Sequence, residues 1–275
     1  FFHADPGIRD PLWSRGLGDV YKRQIFGSAM HTTIQAYLTE MYGTSIVAAE
    51  ALNLEDMLKT EMVKEFTQIR EKHNVDVCNQ KDLTEFYEDG VAIIDHFKKH
   101  RGKYFMKKNY ELVGIELPIF MKLQEGVEFR SYLDVVIRNK ISGAIKIIDL
   151  KTSTRSWTDF HKKNFYKTSQ LVLYKQKYSE AYGIPLDKIT VEFLILKRKI
   201  AKNSDFPISR LQRFEPANGK PTVNKVDKAF TEFRELILDS KGDYKTDRNY
   251  NASPGRACTF CEFLNTEYCK WGKKL

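Results

Sequence analysis

The hydrophobic pattern changes its period once along the chain, near residue 110. Before that point Met30, Ile34, Leu38 and Met41 recur at helical spacing over Ser28 to Met41. Leu54, Leu58, Met62, Phe66 and Ile69 mark a second helix over Leu54 to His73. A third is predicted from Asp82, whose spacing to Glu85 is that of a capping box, to beyond Phe97. After it, Tyr110 to Leu123, Glu128 to Asn139 and Gly143 to Thr152 are short β-rich runs parted by Gly126 and Ser142-Gly143, as in an antiparallel meander. A helix then stops at Gly183 with Pro185 just beyond. Lys188 to Lys199 alternates Ile189, Val191, Phe193 and Ile195 as a strand does. The stretch with Pro207, Pro216 and Pro221 reads as irregular, and a last amphipathic helix carries Val226, Phe230, Phe233 and Ile237. Helices, a meander, then α-β-α in this order describe one mixed α/β domain rather than two.

Composition removes whole classes of protein. Of 275 residues 42% are hydrophobic and 29% charged, with 15 Gly and 8 Pro, which excludes collagen-like, low-complexity and mostly disordered chains. Charges interrupt every apolar run before the roughly 20 residues that a membrane helix needs. Four cysteines are too few for a disulfide scaffold of this size. With no apolar segment of a secretory signal in view, the expected compartment is cytoplasmic. A formal charge of +9 favours a polyanionic partner.

Residues 1–24 carry Gly7, Pro11, Gly16 and Gly18 with no sustained period, and no stable element is expected there. The run from Ser14 to Gln24 resembles the conceptual translation of a sequencing adapter. The segment is therefore set aside as foreign, and the natural N-terminus is expected to be missing. The remainder carries +8 over 251 residues. It divides into a main domain over 25–255 and a cysteine-bearing segment over 256–275 that packs on it.

Chemistry first suggests itself at Asp149-Leu150-Lys151. On a strand, alternate side chains share a face, so Asp149 and Lys151 lie together while Leu150 packs behind. A carboxylate beside an ammonium at the end of the apolar run Ala144 to Ile148 can hold a divalent cation and steer a water. An ion pair on an edge strand fits the spacing as well. Asp134 tips the balance toward a cation. It lies among apolar neighbours, where an acid needs a partner or a metal, and a hairpin at Asn139 to Gly143 brings it alongside Asp149. Two carboxylates and a backbone carbonyl suit Mg²⁺ or Mn²⁺. Glu116, on the strand before, fits a solvated strand residue as well as a site role.

Taken in order, Gly27-Ser-Ala-Met-His31, Asp134, Asp149-Leu150-Lys151 and Gln170-Leu-Val-Leu-Tyr174 resemble the motifs of the PD-(D/E)XK nuclease superfamily. They match its helical G-x-x-x-H, second-strand acid, D-x-K and Q-x-x-x-Y. The closest likeness is to its RecB-like exonuclease branch, which includes CRISPR-associated and helicase-linked nucleases. Ser131 is a departure, since the family often has Gly three residues before the second acid. The resemblance implies a restriction-endonuclease-like fold, a mixed central β-sheet flanked by helices behind a helical N-terminal part. It implies Asp134, Asp149, His31 and the Leu150 carbonyl as metal ligands, with Glu116 a candidate for a second ion. Lys151 would orient the attacking water or stabilise charge on the phosphate. Gln170 would donate hydrogen bonds beside the scissile phosphate, with Tyr174 on the same helix face. Imidazole is better tolerated by Mn²⁺ than by Mg²⁺, so strong Mn²⁺ activity is expected. Arg155, Lys162, Lys163 and Lys167 interleave with Trp157, Phe160, Phe165 and Tyr166, a mixture that suits single-stranded nucleic acid and equally a solvated charged face.

Cys258, Cys261 and Cys269 form C-x₂-C-x₇-C, which in a reducing compartment argues for metal over disulfide. Cluster-bearing members of the resembled branch hold [4Fe-4S] with three such cysteines and one near the N-terminus. Here the fourth is Cys78, between predicted helices, so [4Fe-4S], Zn²⁺ and three packed thiols all stay open. The function expected is that of a divalent-metal-dependent deoxyribonuclease, an exonuclease of DNA recombination, repair or phage DNA processing. Its partners would be single-stranded DNA or duplex ends, with a helicase or recombinase, and no membrane. The alternative, a catalytically silent DNA-end or single-strand binding module, is disfavoured by the presence of Asp134, Asp149 and Lys151 together.

Overall fold

The computed structural model describes residues 15–73, 78–201 and 208–247, with Cys258, Cys261, Leu264, Thr266, Glu267 and Cys269 beyond them. Helix α1 (Arg15–Gly43) begins well before the expected Ser28. The apolar face that includes Met30 continues backwards through Ala29 and then, at four-residue steps, Ile25 and Tyr21, all buried, and Lys22 pairs with Asp82. The expectation of no stable element before residue 25 is thus wrong for 15–24. The glycines there hid a helix whose apolar face the rest of the fold covers.

A short helix α2 (Ile46–Glu50), capped by Ser45, leads to α3 (Leu54–His73) and α4 (Gln80–His100). The cap of α4 is Asn79, whose side chain accepts from the Asp82 amide at 2.8 Å. Asp82 is therefore a first-turn residue rather than the cap. Asn79, three residues upstream, starts the helix one turn earlier, so the amide of Asp82 is itself one of the orphan donors being capped.

Five strands follow: β1 (Tyr110–Gln124), β2 (Val127–Asn139), β3 (Ile145–Ser153), β4 (Ile189–Lys197) and β5 (Leu211–Phe214). They lie in the order β1-β2-β3-β4-β5. The first three form the predicted antiparallel meander. β3 and β4 are parallel, which requires a crossover. That crossover is made by short α5 (Asp159–Lys162) and α6 (Phe165–Tyr182), the latter closed by Gly183 at φ +66°. β5 lies within the stretch expected to be irregular and pairs antiparallel with β4. Only four residues long, it carries too little pattern to be read locally. Helix α7 (Lys220–Ile237) buries Val223 and Val226 against α6, while Phe233 stays 43% exposed. Among the described residues, no helix is long and apolar enough to cross a membrane.

The sheet separates two cores. On one face α1, α3 and α4 pack on Val135, Ile137, Ile148 and Leu150. On the other, α6 packs on Leu133, Val136, Ile145, Ile147 and Val191. The helical layer is tight at Gly90 of α4, where an added Cβ would stand 2.5 Å from Leu58 Cδ2 and 3.2 Å from Phe26. Gly90→Leu should therefore cost about 1–3 kcal/mol by overpacking and lower Tm by several degrees. Gly43→Ala, which meets nothing within 4 Å, should leave Tm unchanged or slightly raised in the same melts.

Candidate active site

The site forms where the β1–β2 hairpin turns over. Ile115 and Val135 are register partners that face the α1 core, whereas Leu117 and Leu133, the next such pair, face the α6 core. Between them stand Glu116 and Asp134. Glu116 has φ +46°, alone among the described non-glycine residues in the left-handed region, and strain of this kind is stored where function uses it. The turnover places both acids at the end of the buried part of the hairpin, within reach of α1.

Helix α1 presents His31 and Gln35 one turn apart. Gln35 Nε2 donates to Glu116 Oε1 at 2.5 Å and to the Asp134 carbonyl at 3.2 Å. His31 Nδ1 stands 3.5 Å from Asp134 Oδ2. That oxygen also accepts from the Leu150 amide at 2.7 Å, so β3 orients the acid of β2 through its backbone. Ligand atoms of His31, Glu116 and Asp134 lie within 4.8 Å of one another, the one such group of three among the described residues. Gln35 was not singled out from sequence. The signal available was a polar residue four after His31, inside an otherwise apolar stripe.

Asp149 and Lys151 point to the α6 side of β3 while Leu150 packs in the α1 core, the alternation expected. β3 is the third of five strands, which excludes an edge-strand pair. Asp149 is 2% exposed. Lys151 Nζ lies 2.8 Å from its Oδ2, yet that buried oxygen has no aligned hydrogen-bond donor. The other buried acid of the sheet, Glu192 on β4, is by contrast enclosed by Lys146 and Arg213 at 2.9 and 2.8 Å and serves structure. A buried carboxylate with a single lysine beside it, next to three converging donors, fits a divalent cation.

Electrostatics agree with the geometry. Burial pushes the Asp134 and Asp149 carboxyls up to about 6, against the opposing pull of Lys151. Burial also lowers the His31 imidazole, with Asp149 working the other way, so a neutral ring is offered as a ligand. From α6, Gln170 Nε2 donates to the Tyr174 hydroxyl at 2.9 Å, and burial raises that phenol to about 12. Gln170 and Lys151 line a cleft of about 560 Å³ together with Arg23, Arg155, Lys167 and Arg198, and among the described residues no carboxylate lines it. Arg198 stacks 3.4 Å above the Phe86 ring with Asp89 3.2 Å from its Nε.

Three sequence expectations change here. Trp157, proposed as a stacking surface, is 8% exposed and packs on Phe193 at 5.0 Å with Phe214 beside it. The aromatic run on that segment folds partly inwards, and Trp157 forms the cleft wall. Lys162 lies over Phe214 and Lys163 pairs with Asp159; neither lines the cleft, whereas Lys167 does. The described Cys258, Cys261 and Cys269 neither converge as a ligand group nor form a disulfide. The described geometry thus lends no support to [4Fe-4S] or Zn²⁺, since spacing along the chain does not by itself bring sulfurs together.

A mixed sheet flanked by helices, with acids and a lysine gathered midway along β1, β2 and β3, defines an α/β protein with a candidate metal site. The family model of the PD-(D/E)XK nuclease superfamily matches residues 9–269, and the chain belongs to that superfamily, with its restriction-endonuclease-like fold. No curated protein matches the chain.

The raised carboxyls have a thermodynamic consequence. A folded-state value of about 6 against an ordinary 3.8 means that the contribution to folding is fully present below about pH 4 and is lost as pH rises through 6. Asp149→Asn should therefore stabilise the metal-free protein at pH 7.5, raising Tm by roughly 2–4 °C for each kcal/mol relieved. The gain should shrink toward zero at pH 4. A variant less stable than wild type at neutral pH would contradict this account.

Proposed function

We propose that the chain is a divalent-metal-dependent deoxyribonuclease of the RecB-like branch, removing nucleotides from DNA ends in recombination, repair or phage DNA processing, with a helicase or recombinase as partner. The observation that carries this reading is the convergence of His31, Glu116 and Asp134 within 4.8 Å beside the buried Asp149–Lys151 pair. A neutral imidazole among carboxylates suits Mn²⁺ better than the all-oxygen shell favoured by Mg²⁺. His31, Asp134 and Asp149, with Glu116 and the Leu150 carbonyl, are the groups that would hold the ion. When bound, the cation supplies charge neutralisation at the phosphodiester and a water of lowered pKa.

The chain's own groups supply positioning. The Leu150 amide fixes Asp134 and Gln35 fixes Glu116. Lys151, partly exposed and on the cleft wall, can meet the charge that develops on phosphate. Gln170, steadied by Tyr174, offers an amide on the same wall. Arg155, Lys167 and Arg198 can carry the phosphates of the strand beyond the cut.

Labelled single- and double-stranded DNA incubated with Mn²⁺ tests the reading. Wild type should degrade it, and Asp149→Ala and Lys151→Ala should each lose about 10²-fold or more, as when a group that stabilises the transition state is removed. Equal degradation by all three proteins would remove the assignment. Tight binding without cutting by wild type would support the silent binding module instead. Gln35→Leu, which leaves Glu116 without its donor, should cost roughly 10- to 100-fold in activity at nearly unchanged Tm. Activity with Mg²⁺ and none with Mn²⁺ would take His31 out of the ligand set.

A further inference from the structure

The turnover of the hairpin at Glu116 and Asp134 has an effect beyond the site itself. Past it, Leu117, Ile119, Phe129 and Leu133 face the α6 core. Their even-numbered neighbours therefore lie on the opposite face of the sheet, the face from which His31 and Gln35 reach the acids. There Phe120 and Tyr132 are 55% and 53% exposed. Their rings meet edge-on at 5.6 Å, and the Arg130 guanidinium lies 5.8 Å over Phe120. Tyr132 is two residues from Asp134, about 7 Å along the strand. Glu128 accepts from Arg130 at 2.8 and 2.9 Å, holding it extended across the strand.

The hairpin is also anchored at its turn. Gln124 Nε2 donates to the Asp239 carbonyl at 3.0 Å. At the hairpin turn Gly126 sits so close to the 239–242 turn that an added Cβ would stand 2.8 Å from the Lys241 carbonyl. Two large rings on a mobile loop would cost entropy to order on binding, and here that cost is already met by folding.

We propose that Phe120, Arg130 and Tyr132 form a stacking platform for unpaired bases of the nucleic-acid strand whose phosphate reaches Glu116 and Asp134. The identity of the strand rests on the nuclease reading. The platform rests on its own geometry: two half-exposed rings in contact, a guanidinium over one of them, and a place on the strand two residues from Asp134. It extends the substrate path from the acids along the hairpin.

Binding of fluorescein-labelled oligothymidine, measured by anisotropy in EDTA so that no cutting occurs, tests this. Phe120→Ala and Tyr132→Ala should each weaken binding roughly tenfold, as loss of one stacked base does. Tyr132→Trp should restore it. Ile141→Ala, 87% exposed at the β2–β3 turn, should bind as wild type. Unchanged Tm in the ring variants shows that the fold survives. Unchanged affinity in the Phe120→Ala/Tyr132→Ala double variant overturns the platform, as does a loss that Trp does not restore. A shift of that double variant from associated to monomeric protein at unchanged affinity would make the face a self-association surface and overturn it too. The two readings fail separately. Aromatic-dependent binding in a protein that cuts nothing with Mn²⁺ sinks the nuclease reading and keeps the platform; cutting with ring-independent binding does the reverse.

Discussion

The hydrogen bond from the Leu150 amide to the Asp134 carboxylate joins the two strands on which the site depends. It is made where the ladder between β2 and β3 ends, at Val135 and Ile148. It orients an acid that the turned-over hairpin would otherwise leave free to rotate. Because Leu150 is itself locked in the α1 core, the position of a ligand is set by hydrophobic packing through one backbone amide. The same core fixes α1, and with it His31 and Gln35.

That arrangement stores energy as well as geometry. Two carboxyls are buried deeply enough to be raised to about 6, one of their oxygens has no aligned donor, and a glutamate holds a left-handed backbone. Each is unfavourable for folding alone, and each becomes useful when a cation satisfies the cluster. The large helical and sheet cores supply the stability against which these local costs are set.

The two faces of the sheet divide the work. The α6 side contributes Asp149, Lys151 and the Gln170–Tyr174 pair, and the basic cleft is walled from both layers, by Arg23 and Phe26 of α1 and Phe86 of α4 as well as by Lys151 and Gln170. The α1 side contributes His31 and Gln35 and continues onto exposed aromatic residues of the hairpin. Charge follows this division. A net +9 is not spread evenly: Arg23, Lys151, Arg155, Lys167 and Arg198 line the cleft, while Glu116, Asp134 and Asp149 lie within β1, β2 and β3.

Much of the fold was legible in the sequence where the pattern was long. The helical stripe of α3, the three strands of the meander and the stop at Gly183 are local consequences of spacing and backbone preference. Asp134, Asp149 and Lys151 could be named because an acid on an apolar strand is anomalous wherever it occurs. The helix over 15–24 escaped notice because its glycines outweigh its local pattern, and β5 because four residues hold no period. Trp157 looked like a stacking surface and became core, since its neighbours Phe193 and Phe214 arrive from other strands. The sequence by itself determined which groups could do chemistry and on which elements they stand. Tertiary structure alone decided that Glu116 joins His31 and Asp134, that Gln35 serves them, and that Phe120 and Tyr132 share their face. Those relations depend on a reversal of the hairpin about one strained residue, and side chains brought together across a sheet leave no trace in linear spacing.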